Sequence, residues 1–145
     1  MKIAIGSDHG GYILKEDIKK WLADNGYEYS DYGTHSTDSC DYPDIAGVVA
    51  KAVATGECQQ GIITCGTGIG VSIAANKVKG IRAALCHDTF SARASKEHND
   101  ANILTLGERV IGRGLAMDIV AVWLSSHFAA GRHQTRVEKI SALEE

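Results

Sequence analysis

Residues 61–70 read GIITCGTGIG. A short apolar run ends on Cys65, and Gly66, Gly68 and Gly70 then fall at every second position. A loop with so little side chain lets backbone N–H groups turn toward a ligand, and a helix that follows aims its positive end the same way. Such a hollow would hold an anion or a developing oxyanion. It would also favour the thiolate form of the neighbouring Cys65. The loop is not of the Walker A type, because no Gly-Lys-Ser/Thr follows, and it is not a full G-x-G-x-x-G. A phosphatase loop needs C-x5-R, whereas Val71 and Ala92 stand six residues after Cys65 and Cys86. The alternative reading of Cys65 is a small buried hydrophobe, since cysteine is among the most buried residue types.

Four other places could carry chemistry. Asp8-His9-Gly10-Gly11 is either an N-cap with a turn or an acid and an imidazole set to hold sugar hydroxyls or phosphate. The final helix opens on Arg132, His133 and Arg136 and closes on Glu144 and Glu145. That order opposes the helix dipole, at about 0.3–1 kcal/mol per charge. It makes sense if an anion docks there. Arg132 and Arg136, four apart, share a helix face and can grip one phosphate; a solvated basic face is the alternative. His98 is either a C-terminal cap or a site imidazole, with Asn99 beside it. Arg109 follows the fifth strand. Cys40, Cys58 and Cys86 read as structural. With no C-x-x-C pair and no H-x-x-x-H pair, no metal site is expected.

The elements that must position these groups follow from hydrophobic period. Strands are expected at 3–7, 27–32, 62–65, 81–85 and 103–106. Helices are expected around Ile13–Leu22, from Asp44 through Val53, over 71–78, over 88–97 with Asp88 as N-cap, around Leu115–Trp123, and over 133–145. Residues 33–43 read as a loop. Strict alternation of short, wholly apolar strands with helices implies a parallel sheet covered on both faces. The expected architecture is a single α/β domain over 1–145, three-layer α/β/α and Rossmann-like, with a five-stranded parallel sheet and a C-terminal helix. Sites in such sheets lie at the carboxyl ends of the strands, near a topological switch point.

Composition excludes several function classes. The 145 residues carry a formal net charge of -3 and no basic run, which argues against nucleic-acid and anionic-membrane partners. No apolar run approaches the roughly 20 residues of a membrane span. The chain starts directly on a strand-like KIAIGSD, so no signal peptide is expected, and unpaired cysteines fit a reducing cytoplasm. The residues describe a pocket for a small phosphorylated, hydroxylated molecule.

The ordered set Asp8-His9-Gly10-Gly11, C-G-T-G-I-G followed by S-I-A-A-N-K, G-I-R-A, H-N-D-A-N and G-R-H-Q-x-R-V resembles the ribose-5-phosphate isomerase B family, which includes galactose-6-phosphate isomerase subunits. The resemblance covers the whole chain. It implies a cofactor-free aldose–ketose isomerase that interconverts ribose 5-phosphate and ribulose 5-phosphate through an enediolate. By the same resemblance Cys65 is the base and His98 the ring-opening acid. Gly66, Thr67, Gly68, Ile69 and Gly70 would hold the enediolate oxygens, Thr67 assisting. Asp8, His9, Asn99 and Arg109 would contact substrate, and Arg132 and Arg136, with His9, would bind phosphate. One family branch has glycine at the place of Cys65 and a glutamate base at that of Val71; this chain resembles the thiol branch. Homodimers, or dimers of dimers with shared sites, are implied. A hexose 6-phosphate (allose or galactose) isomerase is the alternative within the family. A non-catalytic, flavodoxin-like nucleotide-binding module is the alternative outside it.

Overall fold

The computed structural model describes residues 1–144. Five strands, β1 (Lys2–Ser7), β2 (Glu28–Asp31), β3 (Gln60–Cys65), β4 (Ala83–Leu85) and β5 (Ile103–Gly107), form one sheet in the order β2-β1-β3-β5-β4. Every pairing is parallel. The helices are α1 (Tyr12–Asp24), α2 (Tyr42–Ala54), α3 (Ile69–Ala75), α4 (Thr89–Glu97), α5 (Arg113–Ser125) and α6 (Arg132–Ser141), with a short 3-10 turn at His9–Gly11. The chain leaves β1 toward β2, then returns across it to β3. The switch point therefore lies between β1 and β3, where Ser7 pairs with Thr64.

Residue alternation explains how wholly apolar strands serve two layers. Ile3, Ile5, Ile62, Leu104 and Leu106 face one side, where Leu14, Ile18 and Leu22 of α1 and Ile119, Val120 and Trp123 of α5 cover them. Ala4, Ile63, Cys65 and Ile103 face the other side, against Val49 and Val53 of α2 and Val71 and Ala75 of α3. Edge strand β2 is only half-buried, as its polar sequence EYSD requires.

Several boundaries differ from the sequence expectation for local reasons. Helix α2 starts at Tyr42, not Asp44, because Pro43 is accommodated in its first turn, where a missing N–H costs nothing. Helix α3 starts at Ile69 and ends at Ala75, not 71–78. Gly68, at φ 76°, turns the chain straight into it, and the Asn76 amide then bonds the backbone of Ala83 in both directions, at 3.0 and 2.8 Å. Strand β4 loses Ile81 and Arg82, since the Arg82 N–H donates to the Asn102 side chain at 2.8 Å instead of to a strand. Helix α6 runs Arg132–Ser141, and Glu144 lies beyond it, accepting from the Gly80 N–H at 2.9 Å. Glu145 lies outside the described residues. Asp88 caps α4 as expected, its carboxylate accepting from the Ser91 N–H at 2.6 Å; that bond holds its carboxyl below the usual carboxylate range.

Candidate active site

Cys65 ends β3 at the carboxyl edge of the sheet, 5% exposed. Its Sγ accepts the Gly68 N–H at 3.0 Å. The loop beyond it is pinned from three sides. The Glu108 N–H donates to the Cys65 carbonyl at 2.9 Å and the Arg109 N–H to the Gly66 carbonyl at 3.0 Å. The Thr105 hydroxyl donates to the Gly68 carbonyl at 2.9 Å. Thr67 Oγ1 accepts the Ile69 N–H at 3.2 Å. The amides of Gly66 and Thr67 have no acceptor among the described residues, so they remain free beside the sulfur. This is the amide-lined hollow that the glycine spacing suggested.

Close approach decides two of the glycines here. A Cβ on Gly11 would lie 2.4 Å from the Thr64 carbonyl carbon and 2.6 Å from the Cys65 nitrogen. A Cβ on Gly107 would lie 2.6 Å from the Thr67 backbone. Both neighbours are backbone, so neither can swing away. The hollow is made by main chains from β1, β3 and β5 pressed together.

Asp8 and His9 join it from β1. Asp8 caps the 3-10 turn, its Oδ1 accepting from the Gly11 N–H at 3.0 Å. His9 Nδ1 accepts the Cys40 N–H at 3.2 Å, which leaves Nε2 as the proton-bearing nitrogen of the neutral ring. The Arg109 guanidinium lies over the same spot: a Cβ on Gly66 would meet its Nη1 at 3.1 Å, and one on Gly10 its Nη2 at 3.6 Å. Asp8, His9, Cys65, the loop Gly66–Gly70 and Arg109 thus converge.

His98, Asn99, Arg132 and Arg136 do not join them within one chain. Helix α4 runs antiparallel to the strands, so His98, its C-cap, emerges at the amino edge of the sheet. Asn102, just past it, accepts from the Gly61 N–H at the opening of β3. Helix α5 returns to the same edge, where the Ala129 N–H bonds the Glu97 carbonyl at 3.0 Å and α6 begins. The His98 and His133 rings stack there, centroids 4.4 Å apart at 14°. Partial burial, then His98, Arg132 and Arg136, hold the His133 imidazole below its ordinary range. Arg132 and Arg136 are exposed and form no salt bridge among the described residues. A strand of β3's length, about 17 Å at 3.3 Å per residue, separates the two clusters.

The sequence reading missed three residues that shape the carboxyl edge. Tyr42 falls in what read as loop, yet its ring rests on Gly70: a Cβ there would be 2.5 Å from the ring. Pro43 was the available signal, since proline favours a helix's first turn. Ser7 is fully buried with its hydroxyl unpartnered among the described residues. Lys15, completely buried, bonds Asp31 at 2.9 Å and also the Thr34 carbonyl, tying α1 to the 33–41 loop that supplies the Cys40 N–H to His9. Burial pushes the Asp31 carboxyl up, but Lys19, the Gly33 N–H and Lys15 together hold it below its usual value. Nothing in the sequence marks Lys15 apart from the solvated lysines beside it.

Among the described residues no helix is long and apolar enough to cross a membrane, and no group of three or more His, Cys, Asp or Glu clusters as metal ligands would.

Comparison with known proteins bears on the whole chain. Ribose-5-phosphate isomerase B of Clostridium thermocellum superposes with a TM-score of 0.98 at 61% identity, over 99% of this chain and 97% of that one. Ribose-5-phosphate isomerase B of Escherichia coli is 52% identical over 144 residues, 99% of this chain and 97% of its own. A Mycoplasma genitalium ribose-5-phosphate isomerase B, solved with ribulose-5-phosphate bound, is 40% identical with a TM-score of 0.95, over 99% of this chain and 95% of that one. The family profile described as Ribose/Galactose Isomerase matches residues 3–140. A parallel sheet with an amide-lined thiol at its switch point, a basic closing helix and full-length likeness to these proteins agree: the chain belongs to the ribose/galactose isomerase family.

Proposed function

We propose that the protein interconverts ribose 5-phosphate and ribulose 5-phosphate by proton transfer through an enediolate. The observation that carries this reading is the Cys65 sulfur beside two free backbone amides at the sheet's switch point. Isomerisation removes a proton next to a carbonyl, and the charge left behind must be met by donors already in place. The Cys65 thiolate takes the C2 proton of the open-chain aldose. The electron pair forms the C1–C2 double bond, and the former carbonyl oxygen takes the charge against the Gly66 and Thr67 amides. The proton returns to C1 as the C2 hydroxyl passes its own to the charged O1, which becomes the C1 hydroxyl while C2 becomes the ketone.

His98 supplies the preceding step. It protonates the furanose ring oxygen as the C1 hydroxyl gives its proton to solvent water, and the C1–O4 bond breaks to open the ring. Arg132 and Arg136 hold the phosphate, which positions carbons that lie far from it.

These roles need both sheet edges at one site, so the functional unit is a homodimer with shared sites, the carboxyl edge of one copy meeting the amino edge of the other. Ile69 and Ile73, 51% and 59% exposed on α3, flank the hollow. A groove of about 470 Å³ beside Asn99 is lined by Ile81, Ala83, Ile140 and Leu143. The second copy's α3 fits that groove, and two-fold symmetry completes both sites at once.

The test is Cys65→Ala assayed in heavy water. The variant folds with an unchanged melting point, loses turnover by about 10³-fold or more, and stops exchanging the C2 proton of ribose 5-phosphate. Retained exchange would remove the thiol from the chemistry. Running allose and galactose 6-phosphates beside ribose 5-phosphate decides between five and six carbons; the pentose is expected to have the highest kcat/KM.

A further inference from the structure

The left-handed turn that follows His98 has a dedicated clamp. Asp100 sits at φ 49°, a conformation costly for a residue with a Cβ unless its surroundings hold it. Arg82 holds it. Its Nε donates to two consecutive carbonyls, Asn99 at 3.2 Å and Asp100 at 2.9 Å. Its Nη2 lies 3.5 Å from the Asp100 carboxylate. The Arg82 backbone is fixed in turn by Asn102, whose Oδ1 accepts the Arg82 N–H at 2.8 Å and whose own N–H donates to the Arg82 carbonyl at 3.0 Å. The side chain is 19% exposed and points along the turn, not into the Cys65 hollow, which lies at the other edge of the sheet. A planar, forked cation can meet two carbonyls and a carboxylate together; a lysine ammonium lacks that fixed geometry.

We propose that Arg82 is a positioning residue for ring opening: its guanidinium fixes the turn that aims His98 and Asn99, and it takes no part in the proton transfer at Cys65. This rests on the assignment of His98 as the ring-opening acid. The arginine stands at the entry to β4, so the edge strand and the turn after α4 set each other's position. Asp100 also bonds back to the helix, its N–H donating to the Lys96 carbonyl at 3.2 Å, so a loosened turn frees the end of α4 that carries His98.

Ring chemistry separates the two steps. Ribose 5-phosphate closes through its 4-hydroxyl onto C1 and must be opened. Ribulose 5-phosphate cannot close a five-membered ring, because that ring needs the 5-oxygen that the phosphate occupies. Exchange of a C1 proton of ribulose 5-phosphate with heavy water therefore reports the Cys65 step alone, while turnover of ribose 5-phosphate reports both.

The experiment measures both rates, by proton NMR and by coupled assay, for the full chain and for Arg82→Lys, Asp100→Gly and His98→Asn. In Arg82→Lys the ratio of ribose 5-phosphate turnover to ribulose 5-phosphate C1 exchange falls at least fivefold. Asp100→Gly removes the carboxylate that faces Arg82 Nη2 and gives the turn a glycine's backbone freedom, so it shifts the ratio in the same direction, which keeps the test decisive if Arg82→Lys folds poorly. His98→Asn lowers the ratio further. A ratio unchanged in Arg82→Lys and Asp100→Gly but lowered in His98→Asn overturns the role of Arg82 and leaves that of His98 standing. Both rates falling in proportion in His98→Asn overturns the histidine assignment and the inference with it.

Discussion

At the carboxyl edge of the sheet the hollow beside Cys65 is walled largely by backbone; at the amino edge the candidate groups are side chains on helix ends. Around Cys65, main chains from three strands approach so closely that glycine is the only residue that fits at 11 and 107, and the loop's carbonyls are tied down from β5. Around His98 the working groups stand on helix ends, exposed, with two guanidinium groups close to a stacked imidazole pair. The first region is held by hydrogen bonds and close main-chain contacts within one chain, the kind of preset donors that stabilisation of a developing charge would use. The second collects positive charge that no salt bridge among the described residues neutralises, at a helix start where the dipole adds to the cost. On the proposed reading, the region finished in one chain carries the proton transfer, and the unfinished one would supply the ring-opening acid and the phosphate grip once an anion and a second copy complete it.

Tightness at the carboxyl edge is tested by the largest expected effect. Gly11→Ala drives a Cβ into the backbone of Thr64 and Cys65, and we expect a loss of about 3 kcal/mol or more. The read-out is thermal or denaturant unfolding, and stability within 1 kcal/mol of the parent would show that the three main chains can yield. The division of the site between edges is tested next. Cys65→Ala and His98→Asn are each nearly inactive; unfolded together and refolded, they should recover about a quarter of parental activity. Half of the dimers are then mixed, and each mixed dimer holds one intact composite site. No recovery would place both groups in one chain's site and abolish the contrast.

Arg136→Ala addresses the unfinished edge alone. It should raise KM for ribose 5-phosphate by about 10- to 100-fold, in the range of a lost charge-assisted bond to phosphate, with a smaller change in kcat. An unchanged KM would make α6 a solvated basic face. The smallest effect concerns a second amino-edge cation. Lys96 is 7% exposed, with its ammonium 4.2 Å from the Trp123 ring centroid and bonded to the Gln60 side chain. Burial pushes its pKa down to about 8. The folded chain thus releases this proton near pH 8, and the unfolded chain near the ordinary 10.5. The penalty for burying the charge is full below pH 8 and fades as pH rises from 8 to 10.5, so the parent gains stability across that window. Lys96→Met should remove that rise and stabilise the fold near neutral pH by about 2 kcal/mol. A parallel pH profile in the two proteins would show that the amino edge tolerates this charge without cost.

Much of the carboxyl edge was legible because its parts are local. Three alternate glycines after an apolar strand specify a loop of free amides wherever that strand ends, and Gly68 at φ 76° performs the turn the spacing implied. Lys15 was not legible and Tyr42 only through Pro43, because what distinguishes them is a contact far along the chain, with the carbonyl of Thr34 and with Gly70; Ser7 was not legible because only folding leaves its hydroxyl buried without a partner among the described residues. Boundaries of α3 and β4 moved for a similar reason, since side chains of Asn76 and Asn102 took backbone bonds that a helix or strand would otherwise have used.

The sequence by itself determined the alternation of strand and helix, hence a covered parallel sheet, and it determined that a loop with little side chain follows Cys65, because period and glycine spacing act over a few residues. Only the tertiary structure decided where His98, Arg132 and Arg136 stand. Each returning helix carries the chain from one edge of the sheet to the other, so residues at a helix's end are set at the amino edge, a strand's length from those at a strand's end. That separation is a property of folded direction, which no local pattern of residue types contains.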